Sequence, residues 1–314
     1  MTAVNRELTV AASQPPAPAL AVRGRNLTVD GTLVMGVVNA SPESFSDAGR
    51  FSSLDQRLEL CAELVEAGAD VIDIGGQSAI TNHPELDPEI EAERVLPLVS
   101  WLHERHPEVL ISVDTYKPTV VEAALAAGAA IINDVSGLLY PEIVESCVRH
   151  QAALVVMHTR TAPKVRLQDA GLYQDVTSDV VGFLSDRIDQ AVARGLDREA
   201  IIVDPGTDFT KTPAQTVSML RDIEKVRALG RPVLLALSRK DFLGAITGRT
   251  PRAREAATHA ALAFFVSTPG NIVRVHDVRA AKDVIATVET LAGLRDIDEG
   301  YLLPDEIRHE RMKD

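Results

Sequence analysis

Polar side chains that can bind a ligand end each of eight short apolar runs in this 314-residue chain. They are Asn39, Asp73, Asp114, Asn133 with Asp134, His158, Asp204, Ser238 with Lys240, and Arg274 with His276. Carboxylates and amides can pair with the polar edge of a heterocycle, and the cations can bind an anion. Arg274 and His276 alternate along one run, so both side chains lie on the same face of a strand and can reach one anionic group.

Eight strands are predicted to position these residues. The apolar runs are LVMGVVNA, DVIDIGG, VLISVDT, AIINDVS, ALVVMHT, AIIVDPG, PVLLALS and NIVRVHD, and segments with helical spacing lie between them. Eight alternating repeats predict an α/β protein with a single (β/α)₈ TIM barrel, in which all eight polar ends converge at one mouth. A doubly wound open sheet is the alternative, but no G-x-G-x-x-G follows the first run.

Each polar residue also has a purely structural interpretation. Asp204 in DPG can stabilise the following turn, Asn133 and Asp134 can be turn residues, and Asp114 can cap the helix that is predicted near Pro118. We expect His158 to be structural rather than catalytic. Structural roles alone do not explain why all eight strands end in a polar residue.

Composition narrows the class of protein. The net charge of −13 disfavours binding to nucleic acid or to an anionic membrane, although a small anionic ligand remains compatible with it. The two cysteines, Cys61 and Cys147, form no metal-binding motif, and no apolar run is long enough to span a membrane. We therefore expect a cytoplasmic protein with a flexible N-terminal tail at 1–26, a barrel at 27–294 and a charged C-terminal appendage at 295–314.

The ordered motifs of the chain resemble those of the pterin-binding barrels, and most closely those of the dihydropteroate synthase family. The motifs are MGVVNASPESFSDAGRF, DIGGQS, SVDT, INDVSG, VVMH, DPGTDFTKT, LSRK and RVHDV, and the match runs from about Leu27 to Leu294. The resemblance implies a barrel that is usually a homodimer and uses Mg²⁺. Such an enzyme condenses 6-hydroxymethyl-7,8-dihydropterin diphosphate with p-aminobenzoate and releases diphosphate in folate biosynthesis.

The resemblance also assigns residues to roles. The implied pterin-binding residues are Asp114, Asn133, Met157, Asp204, Phe209, Lys240 and Arg274. The implied diphosphate-binding residues are Asn39, Arg274 and His276, with Asn39 also beside the Mg²⁺. The implied catalytic set is Asn39, Lys240, Arg274 and His276, and the implied second-substrate residues are Ser44, Phe45, Ser78 and Asp241.

The loop after the second predicted strand departs from the family pattern. Family members carry a GGESTRPG-like loop, whereas this chain reads GGQSAITNHPE, so that Ala79 and Ile80 replace a Thr and an Arg. A hydroxyl and a positive charge beside the diphosphate are thereby lost. We hypothesise that Arg160 or Lys164, in the loop after the fifth predicted strand, supplies the missing charge.

A second departure follows the seventh predicted strand. The family commonly reads SRKS beside the p-aminobenzoate carboxylate, whereas this chain reads SRKDFLG. At about 4 Å and an effective dielectric of about 20, Asp241 would repel that carboxylate by roughly 4 kcal/mol, unless it only stabilises a helix N-terminus. Two alternatives therefore stay open: a divergent family enzyme that uses another amine, and a non-catalytic pterin-binding protein.

Overall fold

The computed structural model describes residues 17–40, 53–77 and 84–309. The described part begins with a short antiparallel hairpin of β1 (Ala19–Val22) and β2 (Arg25–Thr28). Eight further strands follow, and their bounds are β3 (Thr32–Asn39), β4 (Val71–Gly75), β5 (Leu110–Asp114), β6 (Ile131–Asp134), β7 (Ala153–Met157), β8 (Ile201–Asp204), β9 (Val233–Leu235) and β10 (Asn271–Val275). These strands pair in parallel and close into a barrel in the order β10-β3-β4-β5-β6-β7-β8-β9. The predicted eight-stranded barrel is confirmed.

Ten α-helices lie within the described residues. Their bounds are α1 (Leu54–Glu66), α2 (Pro88–Arg105), α3 (Pro118–Ala126), α4 (Glu142–His150), α5 (Val176–Ala193), α6 (Pro213–Arg221), α7 (Ile223–Arg227), α8 (Asp241–Thr247), α9 (Glu255–Phe265) and α10 (Val278–Leu291). The segment TPAQTVSMLRDIEKVRALG has the apolar spacing of one continuous helix. In the structure the helix is interrupted at Asp222, which separates α6 from α7. None of these helices is long and apolar enough to cross a membrane.

Two apolar layers hold the barrel together. The outer layer packs strand residues such as Val113 and Val273 against the surrounding helices. The second layer fills the N-terminal end of the barrel, where Leu20 of the hairpin joins Met35 and neighbouring strand residues. Each fully buried aliphatic side chain stabilises the fold by about 1.5–3 kcal/mol relative to an exposed one.

The hairpin overlaps the segment 1–26 that the sequence analysis assigned to a flexible tail, and it extends past that segment to Thr28. Leu20 and Val22 are buried, and the Arg23 guanidinium donates to the carbonyl oxygen of Leu125 at 2.6 Å, near the end of α3. Apolar burial and this hydrogen bond attach the hairpin to the barrel. Residues 19–26 of the predicted tail therefore belong to the fold, and the C-terminal mouth of the barrel is left open for a site.

Candidate active site

The parallel register brings the polar strand ends together at the C-terminal mouth. Asp114 on β5 pairs with Asn133 on β6, and Met157 on β7 pairs with Asp204 on β8. Asn39 is the last residue of β3 and is partly buried. The closed barrel therefore brings these strand ends together, as the sequence predicted.

Arg274 on β10 bridges two carboxylates inside the mouth. Its Nε donates to Asp73 Oδ2 at 2.6 Å, and one Nη donates to Asp114 Oδ2 at 3.0 Å. Asp73 is fully buried and also accepts the Ser112 hydroxyl at 2.6 Å. Burial by itself lowers the pKa of Arg274, but the two carboxylates outweigh it and raise the pKa above its ordinary value. The guanidinium therefore stays charged.

Asp114 binds Arg274 rather than capping α3. Burial raises the pKa of Asp114 to about 7, Arg274 opposes that increase, and the neighbouring Asp73 adds to it. The carboxyl group also lines the cavity at the mouth. The structural interpretation of Asp114 as a helix cap is therefore not supported by its contacts.

The amide nitrogen of Asn133 makes hydrogen bonds within the site, and its amide oxygen can accept a hydrogen bond from a ligand. Its Nδ2 donates to the two oxygens of Asp73 at 3.3 and 3.4 Å. Its Oδ1 is buried and has no hydrogen-bond partner among the residues that the structure describes. An unpaired buried acceptor costs about 1–3 kcal/mol, so a ligand N–H would satisfy it. The neighbouring Asp134 only stabilises a turn, because it accepts the N–H of Ser136 at 2.7 Å.

Asp204 both stabilises a turn and contributes to the site. Its Oδ1 accepts the Gly206 N–H at 2.6 Å, as the structural interpretation predicted. Its side chain is nevertheless almost completely buried, and burial raises its pKa while Lys240 and Lys211 oppose that increase. A buried carboxylate beside a cavity is a strong acceptor for paired N–H groups.

Lys240 and Phe209 lie together on the β8 and β9 side of the mouth. The Lys240 ammonium lies 4.5 Å from the centroid of the Phe209 ring. Burial lowers the pKa of Lys240, and the Asp208 and Asp204 carboxylates oppose that decrease. Phe209 is half-buried and Met157 is buried, so both can present apolar surface near a bound ring.

His276 lies apart from the contacts of Arg274. Its Nδ1 is 2.9 Å from the Ser238 hydroxyl, and it lines a second cavity with Arg239 and Asp277. Burial, together with the positive charges of Arg239 and Arg274, lowers the pKa of His276 to about 3. The imidazole is therefore neutral at physiological pH and would bind an anion as a hydrogen-bond donor rather than as a cation.

Asp241 begins α8, and its charge is compensated. The Arg254 guanidinium donates to Asp241 Oδ1 at 3.1 Å and to the carbonyl oxygens of Arg239 and Lys240 at 2.8 and 3.0 Å. The first N–H groups of α8 donate to the Asp208 carboxylate, with the Asp241 N–H at 2.5 Å. The repulsion that Asp241 would exert on an anionic ligand is thus reduced by a buried arginine.

A cavity of about 380 Å³ occupies the mouth. Its lining includes Asp114, Tyr116, Thr159, Lys164, Arg166, Asp208, Phe209, Arg239, Lys240 and Asp241. Asn133, Asp204 and Arg274 lie deeper in the mouth and are not among the lining residues. This volume is in the range of small-molecule sites. A flat heterocycle can enter it with carboxylates on one side and an aromatic ring on the other.

The two cations proposed to replace the missing loop arginine differ in position. Arg160 forms an ion pair with Asp179 through Nε at 2.9 Å, and it does not line the cavity. Lys164 does line the cavity. The structure therefore favours Lys164 over Arg160 for the hypothesis of a substitute charge.

Some predicted residues lie outside the described part of the chain. They are Ser44, Phe45 and Ser78 of the implied second-substrate loops, and Ala79 and Ile80 of the altered loop. Their implied roles stay predictions.

Sequence reasoning did not assign several residues that build the site. Asp73 is the partner of Arg274. Its place at the polar end of a predicted strand is the signal that could have identified it as a site residue. Asp208 and Arg254 organise the region around Asp241, and Lys211 is completely buried behind the loop after β8. No sequence pattern indicates that Arg254 and Lys211 are buried.

The chain matches the family model described as "Pterin binding enzyme" over residues 35–276. Among similar proteins, the dihydropteroate synthase of Bacillus subtilis is 37% identical over 249 residues, which cover 79% of this chain and 84% of the relative. The dihydropteroate synthase of Synechocystis is 36% identical over 262 residues, which cover 83% of this chain and 90% of the relative.

Solved structures show the same architecture. A Yersinia pestis dihydropteroate synthase with a sulfonamide drug is 32% identical, has a TM-score of 0.82, and the alignment covers 88% of this chain and 100% of that one. A Xanthomonas albilineans dihydropteroate synthase with 4-aminobenzoic acid is 37% identical, with a TM-score of 0.80 and coverage of 88% and 98%. A Burkholderia cenocepacia dihydropteroate synthase with 7,8-dihydropteroate is 36% identical, with a TM-score of 0.78 and coverage of 89% and 98%.

Proposed function

The chain belongs to the family of pterin-binding enzymes, and we propose that it is a transferase of the dihydropteroate synthase type. It would condense 6-hydroxymethyl-7,8-dihydropterin diphosphate with p-aminobenzoate and release diphosphate, a step of folate biosynthesis. The observation that carries this proposal is the buried Asn133 Oδ1, which has no hydrogen-bond partner within residues 17–40, 53–77 and 84–309 and lies beside the carboxylates of Asp73 and Asp114. The similarity to synthases solved with 4-aminobenzoic acid and with 7,8-dihydropteroate supports both the second substrate and the product.

Recognition of the pterin would use complementary hydrogen bonds in a buried site. A pterin presents two adjacent N–H groups, which match the carboxylate of Asp204. Asn133 Oδ1 would accept a further ring N–H, and Asp114 would accept another. Phe209 and Met157 would contact the apolar faces of the ring, with Lys240 directed at its carbonyl oxygen and N5.

The chemistry requires a leaving group to be stabilised and water to be excluded. The C–O bond to diphosphate breaks first, because the dihydropterin ring stabilises the cationic methylene that remains. The amine nitrogen then forms the C–N bond and loses a proton. Lys240 and Arg274 would compensate the charge that develops on the departing diphosphate, and the neutral His276 would donate a hydrogen bond to it, without a covalent nucleophile.

Asn39 would hold Mg²⁺ together with the diphosphate. Its amide oxygen is the hard ligand that Mg²⁺ prefers, and this ion commonly takes one or two protein ligands plus substrate phosphates. The described residues contain no cluster of three or more His, Cys, Asp or Glu side chains that could hold a metal. This donor set fits an ion that binds with its substrate, and the ion would neutralise phosphate charge.

The p-aminobenzoate would bind at the outer part of the cavity, near Asp241 and the loop after β7. Lys164 lines this part and can attract a carboxylate, while Arg254 compensates Asp241. The implied contributions of Ser44, Phe45 and Ser78 to the same subsite remain part of the proposal.

Assembly and location are proposed on separate grounds. Phe264 on α9 and Leu291 on α10 are 73% and 83% exposed, and these two helices pack against each other. The resemblance to the family implies a homodimer, and we propose that its interface covers these two apolar side chains on α9 and α10. Cys61 and Cys147 are both buried and unpaired, which is compatible with a reducing cytoplasm.

The direct test is an assay of the purified protein with pterin diphosphate, Mg²⁺ and p-aminobenzoate. We expect equal amounts of dihydropteroate and diphosphate to form. Lys240→Met should abolish most turnover, since it removes the ammonium beside Phe209. Lys225→Met is the matched control, because Lys225 is exposed and pairs with the surface residue Asp222.

Two results would contradict the proposal. Pterin binding without product formation would exclude the synthase reaction with this amine. Equal activity in the Lys240→Met and Lys225→Met variants would show that the reaction takes place away from the described cavity.

A further inference from the structure

Lys211, between β8 and α6, is completely buried. Burial lowers the pKa of its ammonium group to about 7, and the Asp204 and Asp179 carboxylates oppose that decrease. Its Nζ donates to His158 Nδ1 at 2.8 Å and to the carbonyl oxygens of Gly206 and Phe209 at 3.0 and 3.2 Å. These three acceptors match the three N–H bonds of an ammonium. A side chain buried and satisfied in this way has a defined position rather than a variable one.

The chain of contacts continues from Lys211 to the surface. His158 Nε2 lies 2.9 Å from Asp179 Oδ1, and Asp179 also pairs with Arg160. Since Nδ1 accepts from Lys211, the imidazole is neutral and Nε2 carries the proton. Burial lowers the pKa of His158 to about 3, which agrees with this tautomer. His158 is thus structural, as the sequence analysis expected, and its role is to orient Lys211.

The loop around Lys211 has an unfavourable backbone. Gly206, Asp208 and Thr210 have φ angles of +67°, +62° and +51°. Left-handed geometry is strained for Asp and more so for the β-branched Thr, and such conformations persist only when the surrounding contacts enforce them. Only glycine fits at position 206, because a Cβ atom there would lie 2.1 Å from the carbonyl oxygen of His158. The ammonium binds the carbonyls at both ends of this strained turn.

The same loop forms one wall of the cavity. Gly206 N–H binds Asp204, the Asp208 carboxylate binds the first N–H groups of α8, and Phe209 lies against Lys240. Three site residues therefore depend on the backbone path between 205 and 211. Lys211 itself does not line the cavity.

We propose that Lys211 is a positioning residue whose buried Nζ group holds residues 205–211 in the conformation that presents Phe209 and Asp204 to the pterin. This inference rests on the proposed function for its effect on catalysis. Its structural part concerns the loop alone and does not require substrate.

The test compares Lys211→Met, Lys211→Gln and the exposed control Lys225→Met by hydrogen exchange and by binding of 6-hydroxymethylpterin. Met has a similar length but no donors, so the carbonyls of Gly206 and Phe209 lose their partner. We expect at least tenfold faster amide exchange in residues 206–211, a larger increase than in the barrel strands, and at least tenfold weaker pterin binding. The Gln amide offers two N–H groups to the same carbonyls and should recover at least threefold of the lost affinity.

Several outcomes would overturn the proposal. The proposal is wrong if amide exchange and pterin affinity of Lys211→Met stay within twofold of the wild type. It is also wrong if pterin binding weakens while amide exchange in residues 206–211 is unchanged. If Lys211→Met does not fold, Lys211→Gln carries the test, with intermediate exchange expected and wild-type exchange contradicting the idea. Failure of the proposed function would give a different result. The wild-type protein would then make no dihydropteroate, whether or not the substitutions at Lys211 change amide exchange in residues 206–211.

Discussion

Replacing Arg274 by Met should destabilise the protein in a way that depends on pH. The substitution removes ion pairs at 2.6 and 3.0 Å to Asp73 and Asp114 and leaves two carboxylates without their cation. With charge centres about 4 Å apart and an effective dielectric of about 20, each attraction amounts to about 4 kcal/mol before desolvation. Removing one partner of a buried pair costs about 3–5 kcal/mol. Because the Arg274 and Asp114 side chains are 22% and 21% exposed, we expect about 3 kcal/mol at pH 7.

The sign of the pH dependence follows from Asp114. Burial raises its pKa to about 7 while Arg274 opposes that increase, so loss of Arg274 raises the pKa further. A carboxyl group with a raised pKa binds more protons in the folded state than in the unfolded state. Stability is then greatest below the unfolded pKa of about 4 and falls as pH rises to the folded pKa, by up to about 1.4 kcal/mol per unit. Above pH 7 the contribution of Asp114 to the free energy of unfolding is nearly constant in the wild type. In the Arg274→Met variant it continues to fall, because the pKa of Asp114 is higher there.

Urea unfolding at pH 5.5, 7 and 8.5, followed by the fluorescence of Trp101, measures both effects. Arg221→Met is the matched control, since Arg221 is exposed at the end of α6. A loss below 1 kcal/mol at pH 7, together with a pH profile parallel to that of the wild type, would refute the reasoning. That result would show that the two carboxylates do not depend on Arg274 for compensation.

Three further predictions concern binding and assembly. Asp204→Ala should abolish pterin binding in calorimetry, and unchanged affinity would show that the pocket is misassigned. Asp241→Ser should lower the KM for p-aminobenzoate by about three- to tenfold, less than unscreened repulsion gives, because Arg254 already compensates the charge; an unchanged or higher KM would contradict this. Phe264→Asp should convert a dimer into a monomer in light scattering, and a wild type that is already monomeric would exclude the proposed interface.

The barrel could be predicted because its signal repeats along the chain. Each of the eight apolar runs carries its own β-branched residues and turn, and alternation with helices leaves few topologies. The hairpin could not be predicted in this way, since ALAV and RNLT have four residues each and follow a proline-rich segment. Its position depends on burial of Leu20 and Val22 against distant strands. The break between α6 and α7 was also missed, because apolar spacing continues through Asp222.

The composition of the site was more predictable than its contacts. Asp114, Asn133, Asp204 and Arg274 end strands of a closed barrel, so their convergence follows from topology. The pairing of Arg274 with Asp73 crosses from β10 to β4 over the intervening β3, and no local pattern encodes such a contact. The roles of these residues toward substrate stay predictions until a ligand is bound.

A crystal structure of the protein with 6-hydroxymethylpterin tests the central claim most directly. We predict that the ring lies in the cavity beside Phe209, with its paired N–H groups on the Asp204 carboxylate. A ring N–H should lie about 3 Å from Asn133 Oδ1, for which the described part of the chain offers no hydrogen-bond partner. A pterin bound elsewhere, or one that leaves Asn133 Oδ1 unpaired, would contradict the account.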